Sequence, residues 1–80
     1  ESYVNRLAIV VAMGNIADES MLGFLKLVLD KEEDVQLQIE STKAIEKMGE
    51  VGVLALNKLI ASEYKNYQII IRHVLDKRIN

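Results

Sequence analysis

An all-α fold of paired helices is what this 80-residue sequence predicts, and three observations predict it. Apolar residues recur at helical spacing through almost every segment. Proline is absent and glycine occurs only four times, so few positions can break a helix. The sequence also repeats itself. With a shift of 32, Ala12 falls on Ala44, Met13 on Ile45, Ile16 on Met48 and Asp18 on Glu50. The match continues with Met21 on Val53, Leu22 on Leu54, Phe24 on Leu56, Lys26 on Lys58 and Leu27 on Leu59. A shift of 30 then brings Gln68 onto Gln38, Ile69 onto Ile39, Leu75 onto Ile45 and Lys77 onto Lys47. The chain reads as two full units and the first half of a third.

The helices are expected over 2–17, 20–30, 34–48, 51–61 and 66–79. In the first, Val4, Leu7, Ala8 and Val11 keep the i, i+3, i+4, i+7 stripe of a core-facing helix. The second is shorter and carries Met21, Leu22, Leu25, Val28 and Leu29, with Asp18 and Ser20 as candidate caps. Asp34 is placed to N-cap the third, with Glu32 and Glu33 near its positive end. Leu37, Ser41, Ala44, Ile45 and Met48 line its inner face, and the small residues among them allow close helix approach. Gly49 stands where this helix stops, because a left-handed residue closes a helix and glycine has no Cβ to clash. The first unit has Ala17 at that position, so its helix end needs a different or more strained turn. Val53, Leu54, Leu56, Leu59 and Ile60 form the apolar side of the fourth helix. "QIII" at Gln68–Ile71 is β-prone in isolation, but its alignment with the earlier units makes it the start of a fifth helix.

Composition narrows the function classes. Hydrophobic residues are 50% and charged ones 28%, as in a globular chain. Cysteine is absent, which removes disulfides, thiolate metal sites and cysteine nucleophiles together and fits a reducing, cytoplasmic setting. A net charge of −2 exerts no general pull toward nucleic acid or anionic lipid. No apolar run approaches the roughly 18 residues that a membrane span requires.

The lone histidine, His73, has no second histidine or cysteine with which to form a ligand set, and reads as a surface or packed residue. The acidic run Asp30, Glu32, Glu33, Asp34 lacks the glycine and alternating spacing of a calcium loop and reads as a solvated turn between units. Glu40 and Glu46 are spaced to pair with Lys43. Tyr3, Tyr64 and Tyr67 lie near helix starts and read as packing or end-capping residues. Residues 1–34 carry 3 basic and 7 acidic groups, net −4, and residues 35–80 carry 7 basic and 5 acidic, net +2. Lys65, Arg72, Lys77 and Arg78 concentrate in and before the last helix. Without interleaved aromatics they form a thin basis for nucleic-acid binding.

The stretches "NRLAIVVAMGNIAD…MLGFL" and "LQIESTKAIEKMGE…VLALNKL" resemble HEAT-like repeats of the PBS-lyase type. That pattern runs V-R-x-x-A-x-x-A-L-G-x-I-G-D and is followed by a helix beginning A-L-x-x-L. Arg6, Gly14 and Gly49 match it, whereas Gln38 and Gln68 replace its arginine, and Glu46 and Ala17 replace its glycines. The resemblance covers nearly the whole chain. It implies an α-solenoid of stacked antiparallel helix pairs, about five helices or two and a half repeats, in one domain over 1–80 with units at 2–31, 34–62 and 66–79.

Such repeats serve many unrelated proteins. We expect a non-catalytic protein–protein interaction or scaffolding module, with no catalytic residue, cofactor or metal. In this family the second-helix row usually lines the concave face, which makes Lys26, Asn57 and Lys58 the candidate partner-binding residues. A chromophore-handling protein akin to bilin lyases and a nucleic-acid-binding module are the alternatives. "LAIVVAM" at Leu7–Met13 is apolar all round, and the last helix carries Tyr67, Ile69, Ile70, Ile71, Val74 and Leu75. Together with a start at Glu1 instead of Met, this leads us to expect a slice of a longer array, or self-association through apolar ends.

Overall fold

The computed structural model describes residues 2–62 and 67–79. Among them are five α-helices: α1 (Tyr3–Ile16), α2 (Leu22–Lys31), α3 (Val35–Glu46), α4 (Glu50–Ser62) and α5 (Gln68–Ile79). A short 3-10 turn, Glu19–Met21, precedes α2. The all-α expectation holds, and each expected helix is present with its bounds displaced by two residues or fewer.

Polar side chains start these helices. Ser2 accepts a hydrogen bond from the Asn5 N–H at 3.2 Å and caps α1. The Asp34 carboxylate does the same for α3, accepting from the Leu37 N–H at 3.0 Å. Asp18 accepts from the Ser20 N–H at 2.9 Å, but this bond opens the 3-10 turn. Helix α2 begins later, at Leu22, with no side-chain cap at Met21. Ser20 is thus a donor to Asp18 and does not cap α2.

Gly49 takes the left-handed conformation expected of it, and Ala17, where a different or more strained turn was expected, takes the left-handed conformation too. Gly49 has φ 77 before α4, and Ala17 has φ 55 and ψ 38 after α1. Ala17 takes the strained form of the turn with its Cβ in place, and its N–H reaches the Met13 carbonyl at 2.9 Å.

Helix α3 is the hub. It packs against α1, α2, α4 and α5, while α4 also meets α5. Its inner residues Leu37, Ser41, Ala44 and Ile45 are buried, and Met48 just beyond its end joins them. Close approach is what brings α1 in. A Cβ at Gly14 would lie 3.1 Å from both the Cα and the Cβ of Ala44, so two small residues set the crossing. At the other end, Gly52 of α4 is pressed against the Ile45 carbonyl, with no room for a side chain.

Of the stripe expected on α1, Leu7 packs against the core, but Val4, Ala8 and Val11 are exposed and the face is corrected. Val10 and Gly14 are its buried residues, while Val4 is 70% exposed and Val11 39%. A helix that is apolar all round carries no periodic signal to choose a face, and the Gly14–Ala44 approach chooses it instead. On α4, Leu54 is 57% exposed although the repeat places it on the apolar side; Ala55 and Leu56 are buried.

The polar residues of the interior are tied to backbone. Gln38 donates from Nε2 to the Glu32 carbonyl at the end of α2, at 2.8 Å. Gln68 donates to the Leu59 and Ile60 carbonyls of α4, at 3.4 and 3.0 Å. Thr42 Oγ1 donates to the Gln38 carbonyl at 2.8 Å. Ser41 Oγ is buried with no hydrogen-bond partner among the described residues. The radius of gyration, 11.5 Å, is that of a compact chain of this length.

Candidate binding surfaces

The turn between α2 and α3 shows what the acidic run does. Glu32 accepts the Asp34 N–H at 3.1 Å and its carboxylate lies 3.6 Å from Arg6 Nε. Asp34 caps α3, and its carboxylate faces the Tyr3 phenol of α1. Partial burial, then the charge and hydrogen bond of Asp34, push the Tyr3 phenol above its ordinary pKa. The hydrogen bonds of Ser20, from its backbone and its side chain, hold the Asp18 carboxyl below the usual value. These acids organise helix starts, and Tyr3 ties α1 to one of them. Among the described residues no group of three histidine, cysteine or carboxylate side chains is placed to hold a metal ion.

Tyr67 is buried in the core, as a packing residue, and Tyr64 lies outside the described residues. His73 is exposed on α5, between the exposed Arg72 and the buried Val74. Of the cations expected to gather there, Lys77 is exposed. Lys65 and the side chain of Arg78 lie outside the described residues. Lys43 pairs with Glu40 at 4.0 Å, one of the two pairings its spacing suggested.

Lys26, Asn57 and Lys58 are all exposed, on α2 and α4. Asn57 donates its side-chain amide to the Val53 carbonyl at 3.1 Å, which engages one of its donors within its own helix. None of the three lines the grooves described next.

Helices α1 and α2 make little contact with each other because α3 wedges against both. Between them they leave an apolar groove of about 250 Å³, walled by Ile9, Val10, Phe24, Leu27 and Val28, with Leu37 of α3 also in its lining. Ile9, Phe24 and Leu27 are 41%, 47% and 51% exposed. Arg6, Lys31 and Glu32 supply its polar lining. The volume falls below the about 300–1,000 Å³ of a typical small-molecule pocket, which suits side chains of a partner better than a bilin.

A second groove, of about 520 Å³, runs between α3 and α5 and is lined by Ile39, Lys43, Lys47, His73, Val74 and Lys77, with Gln36 and Glu46. Sequence reasoning missed it. Lys77 aligns with Lys47 at the 30-residue shift and Lys43 does not belong to that match, so only the packing of α5 on α3 brings the three together.

No described helix is long and apolar enough to cross a membrane. Compared with protein-family models, curated proteins and solved structures, the chain finds no match. The class that fold and surface define is an all-α protein with open grooves, and the likeness to HEAT-like repeats rests on this chain's own residues.

Proposed function

We propose that this chain is a short HEAT-like α-solenoid that works as a non-catalytic protein–protein interaction or scaffolding module. The observation that carries the binding role is the apolar groove between α1 and α2, where Ile9, Phe24 and Leu27 stand about half exposed. Large apolar side chains gathered round an open groove favour a macromolecular partner. The repeat reading draws support from devices that recur at the repeat spacing. Ala17 and Gly49 both turn left-handed, and Gln38 and Gln68 both donate to carbonyls near the end of the preceding helix. Helix α3 packs on both α1 and α2, and α5 on both α3 and α4. Lys26, Asn57 and Lys58 are the exposed polar positions we assign to the second-helix row.

The partner is another protein, or a second copy of this chain meeting the same groove. The test compares the chain with a Phe24→Ser, Leu27→Ser double variant, as bait in cell extract and by sedimentation velocity over a range of concentrations. Replacing two exposed side chains leaves the melting temperature nearly unchanged. Specific capture or self-association that falls at least about five-fold in the variant is the expected result. A wild-type chain that stays monomeric and captures nothing above bare resin, or a variant that behaves as the wild type, overturns the proposal.

A further inference from the structure

We propose that the groove between α3 and α5 docks an acidic peptide segment of a partner protein, one that carries an apolar side chain among its carboxylates. This rests on the reading of the chain as a protein-interaction module and names the partner chemistry at a second surface. The groove gathers Lys43 and Lys47 from the end of α3 and Lys77 from the end of α5, beside His73. A basic residue near a helix C-terminus complements the macrodipole, which accounts for each lysine singly. It does not account for their meeting, which follows from α5 packing against α3.

The charge there is only partly answered within the molecule. Glu40 lies 4.0 Å from Lys43, but it also accepts the Gln36 side-chain amide at 3.0 Å. Lys47 reaches the Asn15 amide oxygen at 3.5 Å. Neither Lys47 nor Lys77 has a carboxylate within ion-pair distance among the described residues. Glu46 is the carboxylate in the lining. The groove also belongs to the basic half of an acidic chain, residues 35–80 carrying net +2 against −4 for residues 1–34. That asymmetry orients an acidic partner toward it.

Two features select the occupant. Ile39 is half-buried and Val74 is 8% exposed, so apolar surface lies between the lysines and offers one aliphatic side chain a seat. Among the described residues no Phe, Tyr or Trp lines the groove and His73 supplies its one ring, so successive bases of a nucleic acid have little on which to stack. A groove of about 520 Å³ with exposed, mobile-stemmed lysines suits a chain segment better than a single small anion.

The test titrates the full chain with a fluorescein-labelled Glu-rich peptide of about ten residues containing one Leu, alongside its Gln-for-Glu counterpart and a single-stranded oligonucleotide of equal charge. Amide chemical shifts map each contact. We expect the acidic peptide to bind, with shifts confined to α3 and α5 around Lys43, Lys47, His73 and Lys77. Its affinity falls about three- to ten-fold in each of Lys47→Glu and Lys77→Glu, and falls with added salt. The Gln peptide binds far more weakly. An oligonucleotide that binds these residues as tightly as the peptide overturns the proposal, as do shifts that map to α1 and α2 or the absence of binding at low salt. If the peptide fails while the Phe24 and Leu27 variant still loses capture, this inference falls and the interaction-module reading stands.

Discussion

Ala17 and Gly49, which a 32-residue shift of the sequence aligns, share a left-handed backbone, at φ 55 and φ 77. Alanine there costs about 1–2 kcal/mol of Cβ crowding, partly offset because it restricts the unfolded chain. Ala17→Gly is therefore expected to stabilise the protein by about 0.5 kcal/mol, and Gly49→Ala to destabilise it by about 1 kcal/mol. Opposite shifts in melting temperature check this, of about 3 °C upward and 6 °C downward for a chain of this size. Equal signs would show that the turn is not the determinant. The sequence alignment of Ala17 with Gly49 marked this helix end as needing a different or a more strained turn, and the backbone decided for the strained one. The closure of Gly52 on the Ile45 carbonyl was not legible, since a glycine inside a helical pattern signals no partner.

At the level of the element, Gln38 and Gln68 each secure a later helix to the end of an earlier one. Both are 8% exposed, so truncation leaves buried carbonyls without this donor. Gln38→Ala and Gln68→Ala are each expected to cost about 1–3 kcal/mol in urea unfolding. Hydrogen exchange should accelerate first at the end of α2 for Gln38→Ala, and at the end of α4 for Gln68→Ala. A cost below a few tenths of a kcal/mol at both sites would show that water replaces the bond. Sequence comparison marked these glutamines only as substitutes for a family arginine. Their carbonyl partners lie six to nine residues away, on the preceding helix end, and only the packing of the helices joins them.

For the whole molecule, the placing of α3 among four other helices gives it an interface with each of them. Ile45 is fully buried there, whereas Ile69 on α5 is 70% exposed. Ile45→Ala should cost about 2–5 kcal/mol and lower the single unfolding transition of the entire chain. Ile69→Ala should change stability by about 0.5 kcal/mol or less. Two separate transitions in the Ile45 variant would contradict a shared core. The same packing sets the character of the two ends. Tyr67, Ile71 and Val74 of α5 turn inward, and its described outer face keeps Ile69 among Arg72, His73 and Asp76. The apolar surplus stays with α1 and α2, where Val4, Ile9, Ile16, Phe24 and Leu27 remain 41–70% exposed.

Helix content, helix bounds, the Asp34 cap, the left-handed turn at Gly49 and the small residues facing the core follow from local rules. Spacing, capping chemistry and glycine's freedom act over a few residues and leave their mark in order along the chain. The buried face of α1, the exposure of Leu54, the apolar groove beside α3 and the meeting of three lysines between α3 and α5 were decided by tertiary packing. Each depends on where one helix axis lies relative to another, and that is set by close approaches such as Gly14 on Ala44, between residues 30 positions apart.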